Sequence, residues 1–176
     1  GLLDKLDRKR NKEKEECRIK LKNSLPDTFY DYRLRMSLEN RYSRTVKIAE
    51  GCDNVCAYCV IPEIRGKFRS RKMEDIEKEA MKLAEEGCVE LILIAQDVTN
   101  YGSDIYGKPM LPELLKRLSE IEEIHWIRLM YCYEDRVTDE LIKVMKNEPK
   151  VCNYIDMPIQ HISDNILENM RRRSTG

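Results

Sequence analysis

The sequence predicts an α/β chain built on a parallel sheet with helical crossovers. Three observations carry that expectation. Four apolar segments of strand length recur along residues 45–160. An amphipathic helical pattern follows each of them, so strand and helix alternate as they do in parallel sheets. One of the strands, "VELILIAQ", is apolar without interruption, as is a strand covered on both faces. The pattern fits either a barrel or a doubly wound sheet.

The elements follow in order. Residues 1–44 have no steady apolar period: "LDKLDRKRNKEKEECRIKLK" is polar nearly all round, and "NSLPDTFYDY" breaks it. They read as a linker or the end of another domain. From Thr45 an alternating pattern starts, and "TVKIAEG" is a short strand. "MEDIEKEAMKLAEEG" puts Ile76, Ala80, Leu83 and Ala84 on one helical face, with Gly87 as the stop. After "VELILIAQ", "LPELLKRLSEI" groups Leu111, Leu114, Leu115 and Leu118. "WIRLMYCY" is a strand, "VTDELIKVMKN" a helix closed by Pro149, and "NYIDMPIQ" a strand. "SDNILENMRRR" is the last helix, which Ser163 is placed to cap.

A chain of 176 residues with 41% hydrophobic and 36% charged residues suits a globular domain with charged helix faces. It holds no run of 18 apolar residues and no signal-peptide pattern at its start, which argues against a membrane span or a secreted protein. Seven cysteines, an odd number without secretory context, point to free thiols or metal ligands in a reducing cytoplasm. Net charge is zero but uneven. Residues 1–47 carry 14 Lys and Arg against 8 Asp and Glu, a basic arm that is either solvated surface or a contact for nucleic acid or a ribosome.

In both candidate architectures ligands gather where strands end. That places the loop after the first strand, Gln96 and Asp97 after the second, Tyr131 to Glu134 after the third, and Gln160 and His161 after the fourth on one rim. The first loop is the most telling. "GCDNVCAYCVIPEIRGKFRSR" sets Cys52, Cys56 and Cys59 within eight positions. Zinc needs a fourth ligand, and only a distant His125 or His161 offers one. An iron–sulfur cubane held by three thiolates keeps one iron open for another ligand. Cys88, Cys132 and Cys152 read as small core residues, and Cys17 is isolated.

The CxxxCxxC spacing with an aromatic before the last cysteine resembles the signature of radical S-adenosylmethionine enzymes. The longer stretch resembles the methylthiotransferases among them, which share GC-x-N-x-C-x-(Y/F)-C-x-I-P-x-x-R-G-x-x-x-S-R. The likeness runs over residues 45–176 through "IAQDVTNYG", "DMPIQHISD" and "NMRRRST". It implies that Cys52, Cys56 and Cys59 hold a 4Fe–4S cluster whose open iron binds S-adenosylmethionine. Reductive cleavage of that cofactor then yields a 5′-deoxyadenosyl radical, chemistry that belongs to the cofactor. Tyr58 would border the adenine, and Gln96 and Asp97 would hold the amino group of the methionine moiety. Here "AQD" stands where many relatives have Gly-Gly-Glu.

Arg65, Arg69 and Arg71 follow the cysteines. They read either as receptors for an acidic substrate or cofactor carboxylate or as solvated residues entering a helix. The resemblance further implies a partial TIM-like (β/α) barrel with four of six units, residues 45–176 forming the core and 1–44 leading in from a separate domain that carries an auxiliary 4Fe–4S cluster. An open edge at the last strand would then favour association. The motif "PIQHIS" is similar to the branch that methylthiolates an aspartate β-carbon of small-subunit ribosomal protein S-twelve, with Gln160 and His161 toward the substrate. The tRNA-modifying branch tends to read "PVQSGS" there. The implied partners are ribosomal protein S-twelve or the ribosome and an electron donor, with no membrane and no DNA, in the cytoplasm. The alternatives are a tRNA adenosine methylthiotransferase and a non-catalytic iron–sulfur or zinc module.

Overall fold

The computed structural model describes residues 41–176. Cys17 and residues 1–40 of the expected linker lie outside the described residues. Four strands form a parallel sheet in the order β1 (Ser43–Lys47), β4 (Glu90–Ile94), β5 (Trp126–Leu129) and β6 (Val151–Ile155). Between β1 and β4 the chain makes β2 (Ala49–Glu50), α1 (Ile61–Arg65), β3 (Arg69–Ser70) and α2 (Met73–Glu85). The other crossovers are α3 (Leu111–Ser119) and α4 (Asp139–Asn147), and α5 (Asp164–Asn169) follows β6. The strand–helix alternation read from the sequence is the alternation found.

The helices take their faces from the 3.6-residue period. Ile76, Ala80, Leu83 and Ala84 of α2 are all buried, as are Leu111, Leu114, Leu115 and Leu118 of α3. They pack against Val46, Leu91, Leu93, Ile127 and Leu129, which point to the same face of the sheet. Sealing one such leucine or isoleucine from water contributes about 1.5–3 kcal/mol. Gly87 ends α2 with φ +93, a left-handed conformation that costs glycine little. Thr138 caps α4 through its side chain, which accepts from the Leu141 N–H at 3.2 Å. Ser163 occupies the N-cap position of α5, but its side chain makes no capping bond.

Three further expectations need correcting. The uninterrupted apolar run of β4 suggested cover on both faces, yet only Leu91 and Leu93 are sealed. Glu90, Ile92 and Ile94 face the other way and are half-buried. That face carries a polar ladder. The Ser43 hydroxyl donates to Glu90 at 2.8 Å, and Arg128 donates to the same carboxylate at 2.8 and 3.0 Å. The last strand is Val151–Ile155, earlier than "NYIDMPIQ" indicated. Pro158 has no N–H to give a ladder, and the strand bulges so that Ile127 pairs with Val151 but Leu129 with Ile155. Arg71 is neither a ligand receptor nor solvated. Its guanidinium is buried, 2.6 Å from Glu79 of α2, and also donates to the Lys47 carbonyl at 2.7 Å.

Candidate active site

The cysteine loop is clipped at its base. β2 and β3 pair antiparallel, Ala49 with Ser70 and Glu50 with Arg69. The Cys52 N–H donates to the Gly66 carbonyl at 3.2 Å, and the Phe68 N–H to Asp53 Oδ1 at 3.0 Å. Gly51 permits this neck. Its φ is +76, and a Cβ there would lie 2.1 Å from the Lys67 carbonyl oxygen.

The loop folds over the C-terminal ends of the strands and encloses a cavity of about 410 Å³. Cys52, Cys56, Tyr58 and Cys59 line one wall, and Lys47, Ile94, Ala95 and Gln96 from the ends of β1 and β4 line another. Asn54 and Ile61 of the loop, Tyr131, Cys132 and Tyr133 after β5, Pro158 after β6 and Arg172 after α5 complete it. The expected rim is present in part, since Asp97, Glu134, Gln160 and His161 are not among the lining residues. The backbone is strained around it: Tyr131 and Gln160 hold φ near +64 and Arg171 +57. Each such non-glycine residue costs about 1–3 kcal/mol, a penalty concentrated at functional sites.

The three thiols are free and share the cavity. Among the described residues, no three His, Cys, Asp or Glu side chains close around a single ion. A cubane does not need them to, because each sulfur binds a different corner iron. The donor set therefore fits a three-thiolate cluster better than mononuclear zinc. Burial pushes the Cys52 thiol above its ordinary pKa, against a lowering hydrogen bond from the Asn54 backbone. Metal loading has to drive that proton off. Burial, with Cys56 next in weight, also pushes the Tyr133 phenol up and keeps it protonated.

The sequence-derived residues divide into two groups. Gln96 lines the cavity, and its Oε1 is buried without a hydrogen-bond partner. Asp97 is buried and fully engaged. Thr99 and the Asn100 N–H donate to its Oδ1 at 2.5 and 3.3 Å, while Asn54 and Arg136 hold its Oδ2 at 3.1 and 2.5 Å. It thereby ties the cysteine loop to the ends of β4 and β5. Tyr58 is on the cavity wall, and its hydroxyl donates to Gln160 Oε1 at 2.9 Å. Gln160 and His161 lie just outside the lining; His161 Nδ1 accepts the Ser163 N–H at 2.9 Å, which leaves Nε2 to carry the proton.

Arg65 and Arg69 do not reach the cavity. Arg65 is exposed and pairs with Glu50 at 3.3 Å, and Arg69 donates to the carbonyls of Lys67 and Arg65. Tyr133 lies in the Tyr131–Glu134 stretch expected on the rim, and Asn54 and Arg172 lie in the stretches that carry the resemblance, but sequence reasoning assigned none of them a role. Arg136 was missed outright, its only signal being a charge a few residues after a strand.

Residues 46–176 match the Radical SAM superfamily. The chain belongs to that superfamily. Among solved structures it is similar to a radical S-adenosylmethionine methyltransferase, TsrM, from Kitasatospora setae, with a TM-score of 0.57 at 17% identity over 74% of this chain and 26% of that one. This likeness supports the fold: the four strand–helix units are part of the radical SAM α/β architecture. Among curated proteins it is 57% identical over 142 residues to "Ribosomal protein uS12 methylthiotransferase RimO" of Clostridium perfringens, covering 81% of this chain and 32% of that protein. The protein of the same name from Caldanaerobacter subterraneus is 53% identical over 156 residues, 88% of this chain and 36% of that one. The chain thus spans about a third of the length of these relatives. No helix among the described residues is long and apolar enough to cross a membrane.

Proposed function

We propose that this chain is the catalytic core of a methylthiotransferase acting on an aspartate of small-subunit ribosomal protein S-twelve. The observation that carries the reading is the convergence of Cys52, Cys56 and Cys59 on one cavity, in a chain more than half identical to proteins of that activity. Cys52, Cys56 and Cys59 would hold a 4Fe–4S cluster, and the cavity they line would receive S-adenosylmethionine. When bound and reduced, the cluster supplies one-electron cleavage of S-adenosylmethionine.

The chain's own residues do the rest. Gln96, with its unpaired carbonyl oxygen on the cavity wall, accepts from the ammonium of the methionine moiety. Tyr58 offers its ring as a wall for the adenine and is fixed by its bond to Gln160. Asp97 does not bind the ligand directly but holds Asn54, and with it the cysteine loop, in place. Ile94, Ala95 and Ile61 exclude water from the reacting centre. His161, with its proton on Nε2, is suited to donate to the aspartate carboxylate of the protein substrate. Among the described cysteines beyond the loop, Cys132 alone lines the cavity and Cys88 and Cys152 do not, so no second cluster of thiols stands beside the first and the sulfur is taken to come from an auxiliary cluster.

Anaerobic reconstitution tests the reading. About four irons and four sulfides per chain are expected, lost on replacing Cys52, Cys56 or Cys59 by Ala and kept in Cys88→Ala. Stoichiometric zinc without iron would refute it. Within a full-length relative, this core should add one sulfur and one CH₂ to the ribosomal protein. The same gain on tRNA adenosine would reassign the substrate.

A further inference from the structure

The segment after α5 turns back onto the cysteine loop. The Met170 carbonyl accepts from the Ala57 N–H at 3.0 Å, stitching the two together between Cys56 and Cys59. Two residues on, the side chain of Arg172 is only 4% exposed. Its guanidinium lies 4.2 Å over the Tyr133 ring, donates to the Tyr58 hydroxyl at 3.2 Å, and sits 3.6 Å from Glu134. The Ser174 hydroxyl holds the other oxygen of Glu134 at 2.8 Å. Under this buried cation, the Tyr133 hydroxyl stands 3.5 Å from Cys56 Sγ.

Once Cys56 is a ligand it is a thiolate, which can only accept, so the proton of that contact belongs to the phenol. A desolvated cation over the ring face is held firmly and draws electron density from the phenol, which strengthens it as a donor. Hydrogen bonds to ligating sulfurs are among the levers that set an iron–sulfur potential. A donor stabilises the reduced, more negative cluster more than the oxidised one, and so raises the potential.

We propose that Tyr133 is a positioning residue for the cluster, donating its hydroxyl to the Cys56 sulfur, and that Arg172 holds the phenol in that pose. This rests on the cluster assignment above. Tyr133 acts through Cys56, and Arg172 acts through Tyr133. The tail after α5 thereby becomes part of the electronic environment of the cluster.

The test uses the full 176-residue chain, reconstituted anaerobically, with iron and sulfide analysis followed by a redox titration monitored by electron paramagnetic resonance. Tyr133→Phe keeps the ring under Arg172 and removes the hydroxyl that faces Cys56. It should load as wild type, with a midpoint lowered by the equivalent of about tenfold in the reduction equilibrium, ~59 mV for a one-electron couple. Arg172→Gln should shift the midpoint in the same direction, Arg172→Lys should recover part of the shift, and the distant Tyr154→Phe should leave it in place. A fully loaded Tyr133→Phe at the wild-type midpoint, or an equal shift in Tyr154→Phe, would overturn the hydrogen bond alone. Should Tyr133→Phe fail to load, wild-type midpoints in both Arg172 variants would overturn it instead. A wild-type chain that takes up no cluster would sink the underlying assignment and this inference with it.

Discussion

Arg65 and Arg71 come from the same basic stretch but should differ by several kcal/mol in what they contribute to stability. The Arg71 side chain is 5% exposed and that of Glu79 is 1%, with 2.6 Å between them. Removing Arg71 leaves a buried carboxylate without its guanidinium and takes a donor from the Lys47 carbonyl. Breaking a buried pair from one side costs about 3–5 kcal/mol. With a urea slope of about 2 kcal/mol per molar, Arg71→Ala should lower the unfolding midpoint by roughly 2 M. Arg65 is 54% exposed and 3.3 Å from Glu50, so Arg65→Ala should cost about 0–1 kcal/mol. The double change Arg71→Met with Glu79→Leu should be far milder than Arg71→Ala, because no charge is then left stranded. The assay is urea unfolding of the whole chain followed by circular dichroism. Equal midpoints for Arg71→Ala and Arg65→Ala would refute the reasoning, as would a double variant no better than the single.

Gly51→Ala should prevent cluster uptake while leaving the helical signal intact, since the new Cβ meets backbone carbonyls that cannot move aside; iron analysis alongside circular dichroism checks both halves. Burial, then the charges of Asp97 and Asp156, push the Cys132 thiol up to about 12. In the metal-free chain at pH 8, alkylation should therefore spare Cys132 while modifying the more open Cys59, as peptide mass spectrometry would reveal. Burial works against ionisation of Glu90, but the Ser43 hydroxyl and Arg128 outweigh it and hold its pKa below the usual value. Stability from Glu90 is thus present above the unfolded carboxylate pKa and is lost as pH falls through the lower folded one. Glu90→Gln should flatten the acid limb of a stability–pH profile, and an unchanged limb would contradict this sign.

The helices were legible because their faces rest on local periodicity: Ile76, Ala80, Leu83 and Leu118 announce their burial by spacing alone. The three cysteines were legible because their spacing carries chemistry. The ends of strands were not. β6 ends at Ile155 and pairs with β5 through a bulge, a register that pairing across the sheet decides and no single strand encodes. The arginines show the same limit. Nothing local separates Arg71, sealed against Glu79, from Arg65 in solvent, since the difference lies in a helix eight residues further on. Arg172 read as one of three consecutive arginines, and only the return of the chain over Tyr133 singles it out.

The small β2–β3 clip closes the cysteine loop at its base, separately from the bonds that tie its tip to the strand ends. Closing residues 51–68 costs a free chain about 2.5 kcal/mol in its length-dependent part alone, and backbone bonds at the base meet that cost before any metal arrives. Opening the loop need not disturb the parallel strands, and metal loss need not unfold the domain. Above that base the loop is held by Asn54 on Asp97, Ala57 on Met170 and Tyr58 on Gln160, so these ties should loosen before the core does. In hydrogen exchange, amides at 52–59 should respond to metal, while those of Leu91 and Leu93 report only on global unfolding.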